Sequence, residues 1–313
     1  MPVASVIIPA RNAAGTLGAT LNALAAQDCE HEFEVIVVDD GSDDATPAVA
    51  SGSDPAVRLL REHGVGPGPA RNAGAAVAAG EILAFTDADC VPTSGWLRSG
   101  IEALGGADLV QGAVDADPNT PPGPFDRSVW VTRELGLYEC ASLFVHRAIF
   151  DEIGGFEDWL GARVGKPLAE DAWFGWRARR RGAKTAFSPQ ALVHHAVFRR
   201  GALGFIGERV RLYYFPAIAR KMPELRRTLF FGRVFLSSRS ASFDLALAGA
   251  LAAAALGSPP LLLAMLPWLW LAARDAGRWR SRAPLALIAG AGADLVGFAA
   301  LVAGSVRARS LLL

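Results

Sequence analysis

Short runs of apolar, mostly β-branched residues recur along the first third of the chain, and segments with helical spacing lie between them. The apolar runs are residues 3–9, 33–38 and 82–86, and the helical segments include residues 12–27 and 69–79. Runs of this length and composition predict buried strands. Strands that alternate with helices predict an α/β fold, with a mostly parallel sheet that helices cover on both faces.

Carboxylates follow two of these predicted strands. Asp39-Asp40 follows the run 33–38, and Asp87-Ala88-Asp89 follows the run 82–86. Ligands of such sheets bind beyond the carboxyl ends of the strands. Two carboxylates at i and i+2 in a turn can bind one Mg²⁺ or Mn²⁺, but aspartates here can equally cap a turn or a helix. The residues alone leave both roles open.

Two further pairs of polar residues come later in the chain. Glu170-Asp171 lies near the start of a helix predicted over residues 168–181. A carboxylate there can act as a general base toward a hydroxyl, or it can stabilise the positive end of the helix dipole. His194-His195 could supply a neutral imidazole to a metal, although a histidine at such a position can also be structural.

The two halves of the chain carry opposite charge. Residues 1–171 hold 10 Lys/Arg and 26 Asp/Glu, whereas residues 172–313 hold 21 and 5. The acidic half suits a cation, and the basic half suits phosphate groups or an anionic membrane surface. No nucleic-acid recognition module is recognisable, so we expect no nucleic-acid partner. The three cysteines form no CxxC pair, which fits a reducing cytoplasm and argues against a zinc site.

Two long apolar runs lie near the C-terminus. Residues 245–273 contain no charge, and residues 283–306 contain only Asp294. Both exceed the roughly 20 residues that span a bilayer, but Ser258-Pro259-Pro260 interrupts the first, so one kinked span or two re-entrant halves would fit. Arginines flank both runs on every side. The positive-inside tendency would keep all these flanks cytoplasmic, which a plain two-span hairpin cannot satisfy. The number of spans therefore stays open.

Six motifs in order over roughly residues 3–200 resemble the family 2 glycosyltransferases. They are residues 4–12 (ASVIIPARN), 37–42 (VVDDGS), 69–74 (PARNAG), 86–89 (TDAD), 153–156 (IGGF) and Glu170-Asp171. The resemblance implies a GT-A fold and an inverting, hexosyltransferase-type enzyme. Such an enzyme moves a sugar from a UDP-, GDP- or dTDP-sugar to an acceptor hydroxyl with the help of Mn²⁺ or Mg²⁺. The Gln-x-x-Arg-Trp motif of processive members is absent, which favours transfer of a single sugar.

The resemblance also implies roles for the donor-side residues. Pro9, Arg11 and Arg71 would line the nucleotide pocket. Asp40, with Asp39 beside it, would bind the base. Asp87 would lie near the ribose and the metal, and Asp89 would hold the metal. From the residues alone, His195 is a candidate for a further ligand.

On the acceptor side, the resemblance implies that Asp171, with Glu170 beside it, removes the acceptor proton. We expect nearby arginines, Arg177 included, to keep the pKa of Asp171 low. Residues 138–144 lack the asparagine expected in the acceptor region.

We therefore expect a GT-A catalytic domain over residues 1–205, a basic membrane-proximal linker over 206–242 and transmembrane helices over 243–313. The catalytic domain would be cytoplasmic, and the acceptor would be a lipid or glycan, such as a lipid-linked precursor of the cell envelope or of an exopolysaccharide. Two alternatives remain. One is a nucleotidyltransferase, of whose glycine-rich loop residues 10–15 are a poor version, and the other is a catalytically degenerate nucleotide-sugar-binding membrane scaffold.

Overall fold

The computed structural model describes residues 1–53, 57–161 and 168–313. The chain forms two compact units, one of residues 1–121 with 128–197 and one of residues 122–127 with 198–313. The first unit contains the sheet, and the second is built from helices. The main boundary falls at residues 197–198, somewhat before the limit expected from the sequence.

The first unit is built on one eight-stranded sheet with the order β3-β2-β1-β4-β7-β6-β8-β5. The strands are β1 (Ala4–Ala10), β2 (Phe33–Asp40), β3 (Val57–Glu62), β4 (Ile82–Phe85), β5 (Cys90–Pro92), β6 (Leu109–Ala116), β7 (Leu143–His146) and β8 (Thr185–His195). Strands β1 to β4 pair in parallel, as the alternating pattern predicted. The other half is mixed, because β7 runs antiparallel to β4 and β6, and β5 runs antiparallel to β8.

In the described part of the first unit there are six α-helices. They are α1 (Leu17–Ala25), α2 (Thr46–Ser51), α3 (Pro67–Val77), α4 (Trp96–Leu104), α5 (Arg147–Ile153) and α6 (Glu170–Arg180). Helix α1 begins later than residue 12, where the sequence placed its start. The backbone N–H groups of Asn12 and Ala13 bond to the side chains of Ser42 and Thr46 instead, which holds residues 12–16 as a loop.

Two features of the fold bring the predicted motifs together. The carboxyl ends of β1, β2 and β4 lie at one edge of the sheet, because these strands are parallel neighbours. Helix α3 packs closely on β1, since a Cβ atom on Gly74 would lie 2.6 Å from Cγ2 of Ile7.

The second unit contains the remaining helices. They are α7 (Ala202–Glu208), α8 (Phe215–Lys221), α9 (Leu225–Thr228), α10 (Ser238–Leu256), α11 (Leu266–Gly277) and α12 (Ala283–Ala308), with 3-10 helices at Arg209–Tyr214, Pro259–Met265 and Arg280–Arg282. The stretch expected as a linker is thus helical up to Thr228. Its apolar side chains Ile218, Met222 and Leu225 are buried, which explains why it folds.

Two helical segments are long and apolar enough to cross a membrane, by length and composition alone. They are Ser238–Leu256 and Arg280–Ala308, with mean hydropathies of 1.2 and 2.1. The uncharged run 245–273 does not form a single helix. Helix α10 ends at Leu256, the following Gly257 has φ of 60°, and the chain then turns back through Ser258-Pro259-Pro260. The break predicted at these residues is confirmed.

Candidate active site

A buried arginine joins two of the predicted motifs. Arg71 lies on α3 with only 5% of its surface exposed. Its guanidinium donates to Oδ1 of Asp87 at 2.7 Å and to Oε1 of Glu170 at 3.4 Å. A buried charge is destabilising unless it is paired, so Arg71 holds both carboxylates in place. The turn after β4 and the start of α6 therefore belong to one site.

Asp171 lies next to this ion-pair cluster, at the second residue of α6. Its Oδ1 accepts the N–H of Ala172 at 2.7 Å. Burial and the carboxylates of Glu170 and Glu139 raise the pKa of Asp171 well above its ordinary value. Both effects disfavour the ionised form of a carboxyl group.

The expectation that Arg177 keeps this pKa low is wrong. The guanidinium of Arg177 donates instead to the carbonyl oxygens of Ile153 and Gly155. It also lies 3.6 Å from the carboxylate of Glu157. Its positive charge is therefore directed to the end of α5 and the turn after it, and the influence of burial and of Glu170 prevails at Asp171.

Glu139 is a site residue that the sequence reasoning missed. It precedes the short 3-10 turn Cys140–Ser142, and burial raises its pKa to about 7. Its charge contributes to the raised pKa of Asp171. An acidic residue within the otherwise largely apolar segment 138–144 was the available clue. Perturbed carboxyl groups of this kind are common in active sites.

A second cluster lies where β5 pairs with β8. Nε2 of His195 is 3.7 Å from Oδ1 of Asp89, and Sγ of Cys90 is 4.0 Å from the same oxygen. Nδ1 of His195 lies 2.7 Å from the carbonyl oxygen of Ala196. A carbonyl only accepts, so Nδ1 donates a proton to it, and Nε2 is the ring nitrogen that faces Asp89. This is the usual arrangement of a metal-binding histidine.

These residues fit a divalent cation. The ligand atoms of Asp89, Cys90 and His195 all lie within 4.8 Å of one another. Carboxylate and imidazole groups suit Mn²⁺, so Asp89 and His195 would hold the ion. Asp87 is ion-paired with Arg71 instead of belonging to this cluster. The sequence left open which histidine takes part, and β8 places His195 opposite Cys90 and His194 opposite Val91.

The sequence did not predict that Cys90 would lie in this cluster, because only CxxC pairs of cysteines indicate a metal site by spacing. Burial, then the charges of Asp87 and Asp89, raise the pKa of its thiol well above the ordinary value. The thiol therefore keeps its proton near neutral pH. Its position directly after Asp89 was the available clue.

The predicted nucleotide-binding residues surround the ends of β1 and β2. The carboxylate of Asp40 accepts the N–H groups of Val65 and Gly66 at 2.7 and 2.8 Å, and so fixes the loop after β3. Oδ1 of Asp39 accepts the N–H of Ser42 at 3.2 Å. Pro9 is half-buried in β1. Arg11 is exposed, and its guanidinium lies against Gly64, where a Cβ atom would be 3.2 Å from Nη1.

The fold is that of the GT-A class of glycosyltransferases, as solved structures confirm. Mannosyltransferase PcManGT from Pyrobaculum calidifontis, in complex with GDP-Man and Mn²⁺, has a TM-score of 0.57 and 22% identity, and the match covers 98% of this chain and 87% of that one. S. aureus TarS 1-349, in complex with UDP-GlcNAc, has a TM-score of 0.54 and 20% identity, with 98% and 92% covered.

Residues 5–154 match the family model "Glycosyl transferase family 2". The chain therefore carries a family 2 glycosyltransferase domain, as its motifs predicted. Glycosyltransferase AglE of Haloferax volcanii is 31% identical over 175 residues, which are 51% of this chain and 58% of AglE. Succinoglycan biosynthesis protein ExoO of Rhizobium meliloti is 41% identical over 117 residues, 37% of this chain and 33% of ExoO. The matches span less than two thirds of these relatives.

Proposed function

We propose that this chain is an inverting, metal-dependent glycosyltransferase that moves one sugar from a nucleoside-diphosphate sugar to an acceptor hydroxyl. The observation that carries the proposal is the buried Arg71, which pairs with Asp87 and Glu170 and so joins the donor-side and acceptor-side motifs. The GDP-Man and UDP-GlcNAc bound by the two similar structures support a nucleotide-sugar donor.

The donor would lie at the carboxyl edge of the parallel strands. Pro9, Arg11, Asp39 and Asp40 would contact the base and ribose there. Asp89 and His195 would hold Mn²⁺ or Mg²⁺, which when bound stabilises the negative charge of the departing diphosphate. Arg71 would fix the position of the donor-binding residues relative to Asp171, because it is ion-paired with both Asp87 and Glu170.

Asp171 would act as the general base. Its carboxylate takes the proton of the acceptor hydroxyl while the acceptor oxygen bonds to the anomeric carbon. The bond from that carbon to the diphosphate oxygen breaks on the opposite face, so the configuration inverts. A positioned base typically contributes 10²–10⁴-fold in rate, about 3–5 kcal/mol. The raised pKa makes Asp171 a stronger base once it is ionised.

We infer that the acceptor is a lipid or a lipid-linked glycan precursor of the cell envelope or of an exopolysaccharide, at the cytoplasmic face of the cell membrane. The apolar helices of the second unit support a membrane location. The similarity to a succinoglycan biosynthesis protein supports an envelope or exopolysaccharide glycan. The catalytic role falls to the first unit.

The substitution Asp171→Asn tests this function because it removes the base with little change of shape. We expect Mn²⁺ with UDP, GDP or dTDP to raise the melting temperature of the variant as much as that of the wild type. Sugar transfer should fall by at least about 100-fold. Asp151→Asn, on the exposed side of α5, is the matched control and should keep full activity.

Full turnover of Asp171→Asn would exclude Asp171 as the base. A wild-type protein that binds a nucleotide but neither transfers nor hydrolyses a sugar would favour the non-catalytic scaffold.

A further inference from the structure

The second unit contains an apolar hairpin, residues 238–277, in which α10 leads away and the segment from Pro259 through α11 returns. We propose that this hairpin enters a lipid bilayer and leaves it on the same face, and that α12 lies along that face instead of crossing. The protein would then bind its membrane from one side only. The inference rests on the membrane association proposed above.

The two legs of the apolar hairpin pack closely against each other. A Cβ atom on Gly249 of α10 would lie 2.5 Å from Cβ of Ala264 and 2.8 Å from the carbonyl oxygen of Leu261. Their outer surfaces are apolar, and Leu251, Leu256 and Leu263 are 64%, 74% and 65% exposed. Exposed apolar side chains that lie together in this way mark a surface for an apolar partner, and the interior of a lipid bilayer is such a partner.

The uncharged part of the first leg is too short to cross a bilayer, although the whole helix Ser238–Leu256 is long enough by length and mean hydropathy. Its apolar part lies between Asp244 and Gly257 and comprises the twelve residues 245–256. Twelve residues of α-helix rise about 18 Å, whereas the hydrocarbon core is about 30 Å thick. The tip at Ser258 would therefore stop within the bilayer. Its two prolines follow the tight αL turn at Gly257.

An ion-pair network closes the base of the apolar hairpin. Arg239, in the first turn of α10, lies 2.8 Å from Asp294 and 3.1 Å from Asp275. Nε1 of Trp268 donates to Asp294 at 2.9 Å. Charged groups and tryptophan N–H groups favour the membrane surface over the hydrocarbon. The network therefore marks the surface, and it holds both ends of the hairpin and the centre of α12 at that level.

The tail that follows α12 also returns to the base. Arg226 donates to Oγ of Ser310 at 2.8 Å, and the N–H of Leu313 donates to the carbonyl of Val234 at 2.7 Å. These partners precede the hairpin in the chain, so the tail lies on the side from which α10 departs. A helix whose centre and following tail are both held there does not cross the bilayer.

The two faces of α12 agree with a position along the surface. Its buried face consists of alanine and glycine residues with Leu301, and a Cβ atom on Gly304 would lie 2.1 Å from the carbonyl oxygen of Tyr213. Its exposed face is apolar, with Ile288, Leu295 and Val306 exposed by 70%, 56% and 76%. One face therefore packs on the protein, and the other is suited to lipid.

This arrangement also places every basic flank on one side. The arginines before α10, those between α11 and α12 and those at the end of α12 would all lie at the base of the apolar hairpin, where Arg226 bonds to Ser310 and Arg274 pairs with Asp275. Arginines favour the cytoplasmic, anionic surface of a membrane. A two-span hairpin would place some of these arginines on the opposite side of the membrane. If no segment crosses the membrane, all of them can lie on the cytoplasmic side.

Single cysteines in the full-length chain test this topology. Ser258→Cys marks the tip, Ser281→Cys marks the connection before α12, and Arg307→Cys marks its end. All are made in a Cys29→Ser background, because Cys90 and Cys140 are buried. Membrane vesicles of the producing cells, prepared in both orientations, are treated with a membrane-impermeant maleimide before and after detergent.

We expect Ser281→Cys and Arg307→Cys to react from the same side, and Ser258→Cys to react from neither side until detergent is added. Reaction of Ser258→Cys from the side opposite Ser281→Cys would show that the hairpin spans. Reaction of Ser281→Cys and Arg307→Cys from opposite sides would show that α12 spans. Either result overturns the inference.

Sugar transfer measured on the same vesicles separates this result from the proposed function. A spanning pattern with intact transfer would reject the one-sided topology alone. A protein found in the soluble fraction, with the hairpin covered by a second copy of the chain, would reject the topology together with the membrane location and leave the transferase proposal standing.

Discussion

Glu139 and Asp171 are neighbouring acidic residues whose pKa values are both raised, and the charge of Glu139 contributes to the raised pKa of Asp171. Glu139→Gln removes one negative charge while keeping the shape of the side chain. The pKa of Asp171 should fall, because a like charge no longer opposes its ionisation. The rising limb of kcat/KM against pH should therefore move to lower pH. An unmoved limb, with transfer otherwise intact, would show that the two groups do not communicate.

The same substitution has a readout in stability. The pKa of Glu139 is about 7 in the folded protein against an ordinary value of 4.5, so the folded state binds more protons between these values. Its contribution to stability is therefore present at low pH and is lost as the pH rises through about 7. We expect Glu139→Gln to be more stable than the wild type at pH 8, by about 1–3 kcal/mol, and similar at pH 4. Urea unfolding at both pH values measures this.

The adjacent histidines offer a matched pair of variants. His195 faces Asp89 with Nε2, whereas His194 lies opposite Val91 and, as its neighbour on a strand, points to the other face. His195→Ala should weaken Mn²⁺ binding at least about tenfold and reduce the Mn²⁺-dependent thermal shift with nucleotide. His194→Ala should leave metal binding unchanged. Equal effects of both substitutions would contradict the assignment of His195.

At the scale of elements, the packing of α4 on β7 depends on a glycine. A Cβ atom on Gly100 would lie 2.2–2.5 Å from the ring of Phe144, which is fully buried. Gly100→Ala should lower the free energy of unfolding by about 1–3 kcal/mol, because overpacking outweighs the gain of roughly 1 kcal/mol in helix propensity. Gly106→Ala is the control, since nothing lies within 4 Å of its Cβ position. Chemical denaturation compares the two, and equal stabilities would refute the close contact.

Element by element, the sequence predicted what depends on local pattern. The strands β1, β2 and β4 and the helix α3 were predicted within a few residues, because periodicity and turn residues are local properties. Strands β5 and β7 were not anticipated. They are short, and their antiparallel pairing depends on partners distant in the chain, β8 for one and β4 and β6 for the other. The loop before α1 was misread because side chains of residues 42–46 hold it.

For the whole molecule, the basic half should govern affinity for anionic membranes. Arg278, Arg280 and Arg282 are exposed in the connection between α11 and α12. Replacing all three with Ser should weaken binding to anionic vesicles by about 1 kcal/mol per residue, roughly 100-fold in total. Binding to zwitterionic vesicles should change little, because the apolar hairpin remains.

Co-sedimentation with the two kinds of vesicle measures this effect. Arg61→Ser, an exposed position on β3 in the first unit, serves as the control. Equal losses on anionic and zwitterionic vesicles would point to damage of the fold instead of lost charge attraction.

The sequence by itself determined the α/β layout, the family and the carboxylates at the strand ends, because each of these depends on residues that are close together in the chain. It also determined the break at residues 257–260, where glycine and proline limit the backbone. Only the tertiary structure decided that His195 faces Asp89, that Arg71 joins Asp87 to Glu170 and that Arg177 turns away from Asp171. These depend on strand register and on burial, which arise when distant segments pack together and which local pattern does not record.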